Sequence, residues 1–168
     1  MDECIRKGWD YAMKLIGVID EDFCNYKIPC MTLEFPYCSM KCNIECGQPV
    51  CQNGSLADSP NITTQASSLV QRYLDDPITK AICAQGMEPF DSWEDLYELV
   101  LEFRQCSDDD IVIYTGYTKC EILSYIKELK QFANIIVKFG RYIPNQKPHY
   151  DSVLGVELGM FYKRRDYS

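Results

Sequence analysis

The chain carries four cysteines within fourteen residues, in the segment Cys38-Ser-Met-Lys-Cys42-Asn-Ile-Glu-Cys46-Gly-Gln-Pro-Val-Cys51. The segment directly follows an apolar run typical of a β-strand, residues 31–35. Thiolates are the soft ligands that zinc and iron–sulfur clusters select, and four thiols in one loop can all reach a single centre. The segment therefore predicts a metal-binding loop at the end of a strand.

Three kinds of metal centre are compatible with this loop. A structural zinc site usually takes its cysteines as two C-x2-C pairs on separate hairpins, whereas the intervening residues here number three, three and four. A second kind is an electron-transfer cluster bound by all four cysteines. The third is a cluster bound by three cysteines, which leaves one iron open to a substrate or cofactor, as in catalytic metal sites. The residues alone leave all three open.

The composition of the chain is that of one globular domain, with 168 residues of which 46% are hydrophobic and 25% charged. A formal net charge of −8 and a pI near 4.7 argue against nucleic-acid or acidic-membrane partners. The first residues lack the apolar region of a signal peptide, and no apolar run is long enough to span a membrane. We therefore expect a cytoplasmic protein with reduced thiols. Most cysteines outside the loop are then expected to be small buried hydrophobic residues: Cys4, Cys24, Cys30, Cys83, Cys106 and Cys120.

Apolar runs alternate with helical patterns along the chain. Strands are predicted at residues 13–19, 31–35, 81–84, 111–114 and 135–138, with a last extended segment at 153–158. Helices are predicted at residues 64–74, from 91 onward and at 119–132, whereas residues 54–64 are polar and turn-rich. This rhythm predicts an α/β fold, a partial (β/α) barrel with a mainly parallel sheet. A single domain would span residues 13–168, after an N-terminal extension of residues 1–12.

Binding sites on parallel sheets form at the carboxyl ends of the strands. The cysteine loop, Gly86, Gly116 and Gly140 each follow a predicted strand. We therefore expect these four features to converge at one edge of the sheet.

The cysteine loop resembles the cluster loop of the radical S-adenosylmethionine enzymes. The resemblance lies in Phe35-Pro-Tyr-Cys38-Ser-Met-Lys-Cys42 and in Cys51-Gln-Asn53. The match continues, in order and with sensible spacing, from about Met13 to Gly155. Three further segments are similar to motifs of the small activating proteins of anaerobic ribonucleotide reductase: Gln85-Gly-Met-Glu-Pro89-Phe90, Ile113-Tyr-Thr-Gly-Tyr-Thr118 with Glu121, and Val137-Lys-Phe-Gly-Arg-Tyr142.

The resemblance implies an enzyme, a radical S-adenosylmethionine oxidoreductase of the type that activates glycyl-radical enzymes. Three loop cysteines would bind a 4Fe-4S cluster, at which S-adenosylmethionine is reductively cleaved to methionine and a 5′-deoxyadenosyl radical. The radical would abstract hydrogen from a glycine of a large partner such as anaerobic ribonucleotide reductase, with flavodoxin or ferredoxin as electron donor. The metal ligands would come from Cys38, Cys42, Cys51 and Cys46. The implied cofactor-binding residues are Gln85, Gly86, Glu88, Pro89, Tyr114, Thr115, Gly116 and Asn53.

The chain departs from the family pattern in three places. The common loop is C-x3-C-x2-C, so this loop has gained one residue if Cys46 is the third ligand and six if Cys51 is. We favour Cys51, because the Gln-Asn pair follows it and because it stands the expected distance before the helix predicted at residue 64. Cys46 is then a bystander, an alternative ligand or a fourth ligand. Gln85 replaces the family's first glycine. The usual C-terminal ending is replaced by residues 160–165, an apolar patch and three cations that suggest a docking surface.

Two other classes of function remain open. One is a radical enzyme that modifies a peptide or a small molecule. The other is a non-enzymatic iron–sulfur or zinc binding module.

Overall fold

A five-stranded sheet forms the centre of the protein, in a computed structural model that describes residues 11–158. The described strands are β1 (Ala12–Leu15), β2 (Gly17–Asp22), β3 (Cys30–Phe35), β4 (Ile62–Gln65), β5 (Ala81–Gly86), β6 (Asp110–Tyr114), β7 (Ile135–Lys138), β8 (His149–Asp151) and β9 (Val156–Leu158). The described helices are α1 (Lys41–Cys46), α2 (Ala66–Asp75), α3 (Trp93–Cys106) and α4 (Leu123–Leu129). Short 3₁₀ turns span Gly54–Asp58 and Pro89–Ser92.

The strand order in the central sheet is β2-β3-β5-β6-β7. The strands β3, β5, β6 and β7 run parallel, and β2 is an antiparallel edge strand. Two antiparallel pairs, β1 with β4 and β8 with β9, lie outside this sheet. The predicted α/β fold with a mainly parallel sheet is confirmed. The described strands do not close into a barrel, so the partial barrel stays a prediction.

Both faces of β3, β5 and β6 are largely buried, as is typical of parallel strands, whereas the edge strand β7 is half-buried. Helices α2, α3 and α4 pack on one face, against alternate residues of the strands that include Leu33, Ile82 and Ile113. Residues of the loop after β2 and of the β8–β9 hairpin pack on the opposite face. They form a second core cluster of Tyr26, Cys30, Ala81, Cys83, Val112, Tyr114, Leu154 and Leu158. Because both faces are filled, we look for a site at the ends of the strands.

Three strand predictions are wrong in detail. The strand predicted at residues 13–19 is two strands that break at Ile16, because β1 pairs with β4 whereas β2 pairs with β3. Residues 54–64, predicted as turns, include the start of β4, whose β-branched side chains suit pairing with β1. The extended segment predicted at 153–158 is a strand only from Val156, where it pairs with β8.

The helix predictions hold except for α4, which begins later than predicted and ends at Leu129, before the predicted residue 132. Helices α2 and α3 begin within two residues of the predicted starts. Helix α4 begins later than the predicted residue 119, because the preceding residues form a turn in which the Glu121 carboxylate accepts hydrogen bonds from Thr118 N and Oγ1, at 2.8 and 3.0 Å. A side chain that binds the backbone in this way competes with helical hydrogen bonding.

The prediction that most of the scattered cysteines are buried is wrong, because only two of the five described ones are buried. Cys30 and Cys83 are buried, whereas Cys24 and Cys120 are exposed and Cys106 is half-buried. All nine cysteines in the described region are free thiols. Across residues 11–158, no helix combines the length and the apolar character that crossing a membrane requires. Cys4, most of the predicted N-terminal extension and the predicted docking segment at 160–165 lie outside the described residues.

Candidate metal centre

An open cavity lies at the carboxyl ends of β3, β5 and β6. The lining residues are Cys38, Cys42, Cys51, Gln52, Asn53, Gln85, Gly86, Met87, Glu88, Tyr114, Thr115, Gly116 and Tyr142. The predicted convergence at one edge of the sheet is therefore confirmed for the cysteine loop, Gly86 and Gly116, whereas Gly140 does not line the cavity.

Three of the four loop cysteines line the cavity, and the fourth lies outside it. Cys38 comes directly after the end of β3, Cys42 is in the first turn of α1, and Cys51 follows the loop after α1. Cys46 is exposed at the last position of α1. The path of the chain thus brings together the three thiols that the sequence favoured.

Asn43 fixes the long excursion between Cys42 and Cys51. Its Oδ1 accepts hydrogen bonds from the backbone N–H groups of Val50 and Cys51, both at 2.9 Å. A single side chain therefore closes the extra residues into a compact loop and returns Cys51 to the cavity. Sequence reasoning missed Asn43, and its only signal was an asparagine inside a loop that has to turn back.

Hydrogen bonds to backbone carbonyls join the residues at the end of β5 to the cysteine loop and to β3. Asn53 Nδ2 donates to the carbonyl of Gly86 at 2.7 Å, and Met87 N donates to the carbonyl of Phe35 at 3.0 Å. Gly86 has φ +96°, and a Cβ built there would lie 2.7 Å from Phe35 N. Since both the dihedral and the space exclude a side chain, this position requires glycine.

Glu88 joins the ends of β5 and β6. Its carboxylate accepts hydrogen bonds from Thr115 Oγ1 at 2.8 Å, Gly116 N at 2.8 Å and Phe90 N at 3.2 Å. The residue is only 4% exposed. Burial raises the pKa of Glu88 to about 7, although the three hydrogen bonds oppose the shift. Glu88 is therefore both a structural tie and the carboxylate that faces the cavity.

The remaining predicted cofactor-binding residues divide into two groups. Gln85 and Gly116 line the cavity, and a Cβ on Gly116 would lie 3.6 Å from Cys42 Sγ. Tyr114 also lines it, but its ring belongs to the second core cluster and its hydroxyl donates to Asn25 O at 2.6 Å. Pro89 is buried at the start of a 3₁₀ turn and does not line the cavity.

A network of charges beside the cavity includes side chains to which the sequence assigned no role. Glu121 Oε1 accepts from Lys41 Nζ at 2.9 Å and from Arg141 Nη2 at 2.5 Å. These two cations hold the pKa of the Glu121 carboxyl well below its ordinary value. Glu121 and Arg141 both lie in the motif segments that carry the family resemblance, which was the available signal.

Comparison with known protein families matches residues 30–157 to the model of the 4Fe-4S single cluster domain. The match covers most of the chain and contains the whole cavity. The chain belongs to this family. It is a 4Fe-4S cluster-binding domain. Searches of curated proteins and of solved structures gave no match.

The residues of the cavity in this 4Fe-4S domain fit an iron–sulfur cluster. Among residues 11–158, no three His, Cys, Asp or Glu side chains converge closely enough to hold one metal ion. A cluster makes a different demand, because each of its cysteines binds a different iron and the thiols need not meet at one point. Three thiols around an open cavity meet that demand.

In this 4Fe-4S domain, burial favours the protonated form of two cavity thiols, Cys38 and Cys51, before iron binds. Burial raises the pKa of Cys38 to about 11, although the Met40 N–H, which donates to its sulfur at 3.2 Å, opposes the shift. Burial also raises the pKa of Cys51. Since thiolate is the form that binds iron, loading the cluster must release these protons.

Proposed function

We propose that this 4Fe-4S domain is a radical S-adenosylmethionine activase that installs a glycyl radical on a large partner enzyme. The observation that carries the proposal is that Cys38, Cys42 and Cys51 line the same cavity as Gly86 and Glu88. Three cysteine ligands would leave one iron of a 4Fe-4S cluster without a protein ligand. An open coordination position next to a cavity supports catalysis rather than simple electron storage.

In this proposal the cysteines and the residues at the end of β5 have different roles. The three thiolates would hold a 4Fe-4S cluster, and that group would supply the electron for the reductive cleavage of S-adenosylmethionine to methionine and a 5′-deoxyadenosyl radical. The Glu88 carboxylate, in the same cavity, would accept a hydrogen bond from the ammonium group of the cofactor. Gly86 keeps the backbone free of a side chain there, so that the cofactor can lie close to the end of β5.

Glu88 is suited to recognise a cation, because its carboxylate lies in a site with little access to water. Thr115 and Gly116 orient the carboxylate from one side. An ammonium group would complete a charge-assisted hydrogen bond, which is stronger than a neutral one. The cavity-lining residues Asn53, Gln85 and Tyr114 would complete the cofactor site.

A protein substrate suits the shape of the domain better than a small molecule. The second core cluster fills one face of the sheet with side chains such as Tyr26, Leu154 and Leu158. Little space then remains for a second small molecule beside the cofactor. A glycine in a segment of a large glycyl-radical enzyme, such as an anaerobic ribonucleotide reductase, would reach the cavity from outside. A low-potential donor such as flavodoxin or ferredoxin would reduce the cluster in an anaerobic cytoplasm.

One observation favours a second candidate, an iron–sulfur module without an enzymatic role. Cys46 lies four residues after Cys42 on α1, so the two thiols lie on the same side of the helix. If α1 shifted, Cys46 would be a fourth ligand and would close the cluster to any cofactor.

The test is anaerobic reconstitution with iron and sulfide, followed by measurement of 5′-deoxyadenosine formed from S-adenosylmethionine under reducing conditions. We expect Cys38→Ala, Cys42→Ala and Cys51→Ala each to abolish cluster binding. The matched control Cys46→Ala should keep the cluster and the product. Loss of the cluster in both Cys46→Ala and Cys51→Ala would show ligation by four cysteines and contradict the proposal.

The partner is tested separately. A loaded protein that forms 5′-deoxyadenosine but leaves a glycyl-radical enzyme unactivated, while modifying another peptide or a small molecule, would overturn the activase assignment. Formation of a glycyl radical on the partner, seen by electron paramagnetic resonance, would support it.

A further inference from the structure

Helix α1 carries Cys42 but lacks the apolar anchoring that normally fixes a helix. It has six residues, and none of them is buried. Its N-cap residue, Met40, makes no side-chain capping bond. Isolated helices of this length are unstable in water, because the nucleation cost is not recovered. Contacts with the rest of the protein must therefore hold α1 in place.

Those contacts are ion pairs made by one residue before and one residue after Cys42 in the sequence. Lys41 Nζ lies 2.9 Å from Glu121 Oε1, and Glu45 Oε1 lies 2.9 Å from Arg141 Nε. Lys41 and Glu45 are four residues apart, so they lie on the same side of α1. The helix is thus tied to the turn before α4 and to the segment after β7.

Arg141 joins these ties into one unit. Its guanidinium binds Glu45 and Glu121, and its Nη1 donates to the carbonyl of Gly116. The Arg141 side chain is only 13% exposed, and its Cζ lies 5.6 Å from the centre of the Tyr117 ring. A planar guanidinium with fixed donors can bind several acceptors at once, whereas an ammonium group acts as a point charge.

Gly116 connects Arg141 to Glu88. Gly116 offers its carbonyl to Arg141 and its N–H to the Glu88 carboxylate. Displacement of Arg141 would therefore affect α1 directly and Glu88 through Gly116.

We propose that Arg141 is a positioning residue that holds α1, and through it the Cys42 thiol, at the edge of the cavity. The inference rests on the proposed role of Cys42 as a cluster ligand. It assigns to Arg141 a role in retaining the cluster, exerted through Glu45, Glu121 and Gly116, with no contact to iron required.

The first experiment measures hydrogen exchange of the metal-free protein, so it does not depend on the cluster. In Arg141→Ala we expect the amides of α1 to exchange about tenfold faster, since several exposed charge contacts of modest strength are lost together. Arg141→Lys should restore part of the protection, because a lysine can bind one carboxylate at a time. The matched control is Arg72→Ala, in helix α2. It removes an exposed ion pair in which Arg72 Nε lies 2.5 Å from Asp20 Oδ1.

The second experiment measures iron release from the reconstituted protein to a chelator, together with the visible circular dichroism of the cluster. We expect release to be about tenfold faster in Arg141→Ala, intermediate in Arg141→Lys and unchanged in Arg72→Ala. The dichroism of the cluster should change in Arg141→Ala, because the orientation of the Cys42 thiolate is altered, while the far-ultraviolet spectrum stays the same.

The results of the two experiments test the positioning role of Arg141 separately from the proposed function. Unchanged α1 exchange in Arg141→Ala would overturn the positioning role, and so would equal iron release from all three variants. Faster α1 exchange in a protein whose wild-type form cleaves no S-adenosylmethionine would support the positioning role and contradict the proposed function.

Discussion

Replacement of Glu88 by glutamine should change how the stability of the metal-free protein depends on pH. Glu88 is 4% exposed, and its pKa is raised from the ordinary value of 4.5 to about 7. One unit of pKa corresponds to about 1.4 kcal/mol, so the folded environment, burial less the opposing hydrogen bonds, disfavours the ionised carboxylate by about 3 kcal/mol. Because the folded-state pKa is the higher one, the stabilising contribution of Glu88 is full below about pH 4.5 and is lost as the pH rises through about 7.

The assay is urea unfolding of the reduced, metal-free wild type and of Glu88→Gln, followed by tryptophan fluorescence at about pH 5.5 and 8.5. Glutamine has nearly the same shape but does not titrate. We expect the free energy of unfolding of the wild type, relative to the variant, to fall by about 2 kcal/mol between these two pH values. Comparison with the variant removes the contribution of every other titrating group. A difference that stays constant with pH, or that rises, would refute the argument that burial controls this carboxylate.

Three further predictions concern the cavity wall and the loop. Asn43→Ala leaves the Cys51 N–H without its acceptor, so we expect about 1–2 kcal/mol lower stability and faster iron release to a chelator. Glu88→Ala should weaken S-adenosylmethionine binding by about 1.5–3 kcal/mol with iron content retained, measured by equilibrium dialysis of the loaded protein; unchanged affinity would contradict a contact with the cofactor. Gly86→Ala should lower the free energy of unfolding by about 3 kcal/mol or more, through backbone strain and a 2.7 Å contact. The control is Gly140→Ala. Gly140 has φ +132°, but a Cβ built there would have no atom of the described residues within 4 Å apart from its chain neighbours, so this variant should lose less free energy of unfolding in the same urea titration.

Much of the architecture was predictable because local patterns encode it. The strand after α4 is observed at the predicted residues, Ile135–Lys138, and β5 and β6 differ from their predictions by one or two residues. Short apolar runs buried on both faces are typical of parallel strands and are legible without tertiary information. The convergence at one edge follows from geometry, since the carboxyl ends of parallel strands meet there.

Long-range pairing was not predictable. The break at Ile16 arises because the residues before and after it pair with different strands, one of which begins at Ile62, far along the chain. A continuous apolar run carries no mark of such a change of partner. The start of α4 likewise depends on the Glu121 side chain, which binds Thr118 instead of beginning the helix.

The sequence by itself determined the chemistry of the site: the cysteines, the glycine at 86 and the carboxylate at 88 are fixed by residue type and by their position after strands. Only the tertiary structure decided which thiols face the cavity. Helix α1 ends with Cys46 exposed, and Asn43 turns the chain so that Cys51 returns to the cavity. Spacing limits how far a loop can reach, but hydrogen bonds and ion pairs between distant segments, such as the one from Arg141 to Glu45, determine its path. Such contacts have no local signature in the sequence, because each depends on a partner that folding alone brings near.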